Sequence, residues 1–171
     1  KTIVKFFAPV TQKIEIRKFK YIFTGISASE HPESKENLNF AWPVLNKIVP
    51  SNQTLFILTS PLSEKSAKYL ASEQINSATR LQLLAALSIK EKSLITTCSL
   101  LKFLKILFPI RPFYESCFSF TAGLQNRCWF YIFKQIQPSH FAFSFSAGWP
   151  ELTEIAIANA MKIKTINWFY G

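Results

Sequence analysis

Aspartate is absent from this chain of 171 residues, so every acidic side chain is a glutamate. That excludes an EF-hand loop, which needs alternating Asp or Asn around a glycine. It also excludes metal-dependent sugar transfer through Asp-x-Asp and any Asp-oriented triad. Glycine is nearly as scarce. Gly25, Gly123, Gly148 and Gly171 lie too far apart for a phosphate-cradling P-loop or a G-x-G-x-x-G fingerprint. The three cysteines, Cys98, Cys117 and Cys128, have no C-x-x-C spacing and share no ligand spacing with His31 or His140. An odd number without close pairs argues against a disulfide framework and for structural thiols in a reducing compartment, with no metal site. What the chain does have is apolar mass. Apolar residues make up 49%, with 17 Phe, enough for the core of one domain. The formal net charge is +10, but the basic residues are dispersed and no nucleic-acid recognition motif accompanies them, so a nucleic-acid partner is not expected.

Apolar runs alternate with helical stretches. Phe19–Ser27 reads as a strand, followed by a polar loop and a short helix over Phe40–Ile48. Thr54–Thr59 is a continuous apolar run of the kind buried on both faces of a sheet. Ser63–Glu73 reads as an amphipathic helix capped by Ser63, and Ser77–Leu107 as two helices broken near Ser88–Ser93. The aromatics of Phe113–Gln135 suit a buried helix or a strand, with helix the preferred reading. His140–Ser146 alternates as a strand, Ala147-Gly148-Trp149 turns, and Pro150 opens a helix running to Lys162. Both glutamates of that helix, Glu151 and Glu154, fall near its positive end. Ile163–Phe169 returns as a strand, completing a βαβ unit. The whole predicts a single α/β domain over 1–171, an open, mostly parallel Rossmann-like sheet with helices on both faces. Strands near 54–59, 140–146 and 163–169 are expected to be neighbours. The chain opens on Lys1 and ends at Gly171 after a strand-like run, which reads as a piece of something longer, with no secretory signal visible.

In such sheets ligands bind outside the carboxyl ends of the strands. Three segments meet that condition: Ser27-Ala28-Ser29-Glu30-His31, Thr59-Ser60-Pro61, and Ser144–Glu151, which includes Ser146 and Trp149, with Tyr170-Gly171. A glutamate there, beside small hydroxyl residues, suits a general base acting on a sugar hydroxyl. Spacing alone leaves Glu30, Glu33 and Glu36 open between that role and solvated loop charges. It leaves His31 open between orienting Glu30 and loop surface, and Trp149 between stacking on a sugar and capping the core. Residues 92–111 hold Lys92, Lys102, Lys105 and Arg111 with no acid, beside Leu100, Phe103, Leu104 and Leu107 on one helical side. That stretch suits either a helix lying in a lipid headgroup region or an ordinary core helix; Leu94–Ile110, interrupted by two lysines, falls short of a span.

Several of these segments, in order, resemble the N-terminal domain of a 3-deoxy-manno-octulosonate (Kdo) transferase, a two-domain GT-B glycosyltransferase of lipopolysaccharide assembly. Ser27-Ala28-Ser29-Glu30 stands where the family has S-V-G-E after a strand, and Trp42-Pro43-Val44-Leu45 follows. Ile57-Leu58-Thr59-Ser60 resembles its strand ending in Leu-Thr-Thr, and Gly148-Trp149-Pro150-Glu151-Leu152 its E-x-E-L-W-P-N-L turn. Ile26–Glu30 equally resembles the I-S-A-G-E opening of lipid A disaccharide synthase, another GT-B enzyme. The chain differs in an insertion over His31–Asn37, in Ser29 where the family has glycine, in Phe145 and Ala147 where it has acids, and in Tyr170-Gly171 where its last strand ends in Asn-x-Arg.

The resemblance implies the acceptor-side half of a metal-independent glycosyltransferase, with no cofactor. Glu30 would be the base. Ser27, Ser29, His31, Thr59, Ser60, Ser146, Trp149 and Glu151 would line the acceptor site. A second half would bind the nucleotide-sugar donor, and the acceptor would be a lipid-linked sugar at the cytoplasmic face of the inner membrane. Lys92, Lys102, Phe103 and Lys105 would then face an anionic membrane surface in peripheral attachment. The alternative is a non-catalytic or truncated relative that only binds.

Overall fold

Tyr21–Ile26 (β1), Thr54–Leu58 (β2), Asn76–Thr79 (β3), His140–Ser144 (β4) and Lys164–Trp168 (β5) form one sheet, every neighbouring pair parallel, in the order β3-β2-β1-β4-β5. The structure is a computed structural model that describes residues 14, 16–26, 47–58, 64–72, 74–107, 113–144 and 149–168. The described helices are Glu64–Ser72 (α1), Arg80–Ala86 (α2), Ile89–Leu107 (α3), Phe113–Ile136 (α4) and Trp149–Ala160 (α5). Most of the stretch read as the Phe40–Ile48 helix, the cap at Ser63 and the 147–148 turn lie outside the described residues.

Side-chain alternation along the strands divides the core in two. Ile22, Leu55, Ile57, Ala78 and Phe141 point to one face, where they meet Leu83 of α2, Ile95 of α3, Trp129, Ile132, Phe133 and Ile136 of α4, and Ala158 of α5. Phe23, Phe56, Leu58 and Ala142 point to the other, with Val49 and with Leu70 of α1. Helices therefore cover both faces. β2 is buried at all five positions, as its unbroken apolar run implied.

Three expectations are corrected. The Thr54–Leu58 strand does not adjoin His140–Ser144, because β1 lies between them and pairs with both. Residues 76–79 are a strand, not the start of a helix. The sequence N-S-A-T carries no apolar run, but Asn76 is anchored by side-chain bonds to the carbonyls of Ser51 (2.9 Å) and Thr54 (3.2 Å) and by the Arg17 guanidinium. Pairing to β2 thus overrides a weak local propensity. The helix then starts at Arg80, where Thr79 and Gln82 form a reciprocal capping box. Finally, Trp149 lies within α5 rather than in a turn before Pro150.

Scarce glycine has a structural consequence. α1 and α5 both end in Schellman turns: Ile75 N donates to Leu70 O (2.8 Å) and Gln74 N to Ala71 O (3.1 Å), as do Ile163 to Ala158 (2.9 Å) and Lys162 to Asn159 (3.0 Å). The left-handed positions are Gln74 (φ 54°) and Lys162 (φ 58°), residues that carry a Cβ where glycine is unstrained. Lys162→Gly is expected to stabilise the fold by roughly 0.5 kcal/mol, the relieved strain exceeding the added chain entropy. Urea unfolding checks this; a lower midpoint for the glycine variant would contradict it.

α3 is clamped onto α4 through its one acid. Ser88 and Glu91 form a second capping box, and Glu91 also accepts from Gln135 Nε2 of α4 at 2.8 and 2.9 Å. Burial pushes this carboxyl up, but the Ser88 hydroxyl and amide, Gln135 and the Lys134 charge outweigh it and hold it below its ordinary value.

Candidate functional site

The strand order reverses direction at β1 and β4. From β1 the chain builds outwards to β2 and β3, with α1 on one face; from β4 it builds the other way to β5, with α5 on the opposite face. Reversing both direction and face keeps a single crossover hand. The topological switch point therefore lies between β1 and β4, and the crevice outside their carboxyl ends is where open α/β sheets hold ligands. β1 ends at Ile26 and β4 at Ser144.

Two of the segments singled out in the sequence leave from those two ends. Ser27, Ser29, Glu30 and His31 directly follow β1 and lie outside the described residues, as do Thr59 and Ser60 after β2 and Ser146 after β4. Trp149 and Glu151 stand in the first turn of α5, which begins beyond β4. Chain order thus makes the segment that carries Glu30 leave β1 at the edge of the sheet where β4 ends, ahead of α5.

One cluster at this edge was not anticipated. Glu154, in the second turn of α5, is fully buried. Its Oε1 accepts from Arg80 Nε at 2.5 Å, and its Oε2 from Thr24 Oγ1 at 3.2 Å and Arg80 Nη2 at 3.4 Å. Arg80 Nη2 also donates to Thr24 Oγ1 at 3.3 Å. Thr24 is fully buried near the end of β1, whereas the Arg80 side chain, just past β3, keeps 23% of its surface exposed. A buried carboxylate without partners is costly, so the guanidinium and hydroxyl are what permit Glu154 to sit here. Position alone suggested only a charge complementing the helix end. The available signal was a lone acid inside the apolar run Leu152–Ile157.

The other candidates scatter. Lys92 does not face outwards: it is buried, and its Nζ donates to Ala85 O at 3.0 Å. This corrects its assignment to a membrane-facing set, since helical phase turns it towards the same side as Ile95 and Ser99. Lys102 and Lys105 are exposed, and Phe103 is half-buried with its ring 5.5 Å from Phe120. Burial pushes the Cys128 thiol up to about 12, so it is protonated at neutral pH and inert as a nucleophile. Among the described residues no cluster of His, Cys and Glu is able to hold a metal ion.

At the opposite, amino edge, Tyr21, Val49, His140, Ala142 and Ile166 line an apolar hollow of about 250 Å³. His140 stacks on Tyr21 with ring centroids 5.3 Å apart, and its Nδ1 lies 2.8 Å from Ser139 Oγ. Partial burial, then the charges of Lys164 and Lys20, push its imidazole below the ordinary value. The ring belongs to the packing of β4 and lies at the far end of the strands from the crevice. Comparison with protein-family models, with curated proteins and with solved structures finds no match to this chain.

Proposed function

We propose that this chain is the acceptor-side half of a GT-B-type glycosyltransferase, similar to the Kdo transferases, that extends a lipid-linked sugar. The observation that carries the reading is the switch point between β1 and β4, with the Glu30 loop leaving one strand and the Trp149–Glu151 turn following the other. In this reading the acceptor sugar occupies that crevice. Glu30 takes the proton of the acceptor hydroxyl as its oxygen attacks the anomeric carbon of the nucleotide-activated donor, and the nucleotide phosphate leaves. The donor is held by a second half, whose electrostatics stabilise the leaving phosphate without a metal. The test is a mass-spectrometric transfer assay on the protein that contains this chain, with a lipid-linked glucosamine disaccharide as acceptor and nucleotide-activated Kdo as donor. An acceptor heavier by one sugar is expected; unchanged acceptor with both substrates bound would favour the binding-only relative.

The same reading places the chain peripherally at the cytoplasmic face of the inner membrane. No described helix is long and apolar enough to cross a membrane. On the outer side of α3, however, Leu94, Leu100, Leu101 and Leu104 are each more than two-fifths exposed, among exposed Lys90, Lys102 and Lys105. The one acid of the helix, Glu91, is engaged with Ser88 and Gln135. This combination suits an anionic headgroup layer. Each basic residue contributes about 1 kcal/mol near such a surface, so Lys102→Gln with Lys105→Gln is expected to weaken binding to anionic vesicles roughly 30-fold. Co-sedimentation at low and high salt checks this. Equal binding to neutral vesicles, or none to anionic vesicles at low salt, would remove the membrane from the account.

A further inference from the structure

We propose that Arg80 and Glu154 are positioning residues: their ion pair, with its carboxylate fully buried and closed on Thr24, fixes the end of β1 against the second turn of α5 and so sets the spacing of the two segments that flank the switch point. The inference rests on the reading of that switch point as the ligand crevice, but not on the chemistry performed there.

The three residues come from both sides of the reversal. Arg80 follows edge strand β3, Thr24 sits on central β1, and Glu154 reaches in from the helix between β4 and β5. Each contacts both of the others, so the triangle is closed by directional bonds. An apolar trio of similar volume would fill the same space without fixing a direction. Stability alone does not account for the charges, because replacing a buried ion pair by packed apolar groups is often neutral or stabilising. Placement does account for them. The β1–β2 register shifts between Thr24 and Ile26, with Gly25 between them, so the regular ladder is interrupted at the end of β1, before the segment that carries Glu30. The side-chain triangle holds β1 at that interruption. On the other side it holds the α5 turn that directly follows Trp149–Glu151.

The test replaces the triangle by apolar groups, Thr24→Val with Arg80→Met and Glu154→Leu, in the protein that contains this chain. Thermal unfolding and amide hydrogen exchange are measured without substrate. The midpoint is expected to stay within about 3 °C, while exchange in 20–26 and 149–156 accelerates at least about tenfold and exchange in α4 does not change. Exchange unchanged in both segments, or accelerated equally everywhere, would overturn the proposal. Should the triple variant fail to fold, Arg80→Lys decides. It keeps the charge but loses the guanidinium fork, and is expected to loosen the same two segments and not α4. An Arg80→Lys profile identical to that of the unaltered protein would overturn the proposal. Transfer kinetics give the second readout: kcat is expected to fall at least about tenfold in the triple variant with KM changed less. Equal activity alongside local loosening would refute the positioning role. Absence of transfer in the unaltered protein would count against the proposed reaction, with the exchange result still deciding this inference.

Discussion

Glu30→Gln is expected to lower sugar transfer by roughly 100- to 10,000-fold, the range that loss of a positioned general base produces. Glutamine keeps the size and polarity of the side chain but cannot accept the proton of the acceptor hydroxyl. Acceptor binding should therefore survive while turnover fails, and the thermal midpoint should not move. Glu33→Gln and Glu36→Gln serve as controls in the same segment. Both are expected to retain near-normal turnover. If one of them shows the large loss and Glu30→Gln does not, the role of base passes to that residue.

The second large effect concerns stability. Phe133 and Phe141 are both completely buried, their ring centroids 5.3 Å apart in an edge-to-face contact, with Trp129 5.5 Å from Phe133. This cluster joins the middle of the sheet to α4. Phe133→Ala is expected to cost about 3–5 kcal/mol, because it removes transfer free energy and leaves a cavity that rigid neighbours cannot close. That is a large share of the roughly 5–15 kcal/mol that holds a typical domain folded. Chemical denaturation measures it. A loss under about 1 kcal/mol would mean that the site collapses freely, contrary to its packing.

Where the sequence was legible, one physical signal dominated. The run T-L-F-I-L could be read as a doubly covered strand because four apolar side chains follow Thr54 without a break, and Lys164–Trp168 followed from a helix whose length suits a parallel crossover. β3 was not legible, since its four residues are held by Asn76 and by pairing with β2, contacts that local pattern does not contain. Sheet order was not legible either. Continuous apolar runs show burial but not which strand lies beside which, and β1 occupies the centre. At the candidate site, the ends of β1 and β4 were legible to within two residues, while the segments that follow them lie outside the described residues. The Arg80–Glu154–Thr24 triangle was hidden because its members are separated by 56, 74 and 130 positions in pairs that only the fold brings together. Lys92 shows the complementary error: charge suggested exposure, whereas its helical phase and the Ala85 carbonyl turn it inwards.

The most direct test of the account is to locate the acceptor. Isotopically labelled protein is titrated with a short-chain, soluble form of the glucosamine disaccharide acceptor, and perturbed backbone amides are mapped onto the sheet. Perturbations concentrated at the carboxyl ends of β1 and β4 and at the start of α5, around Ile26, Ser144 and Trp149–Thr153, are the predicted result. Perturbations gathered instead at the amino edge around Tyr21 and His140, or none at saturating acceptor, would contradict it.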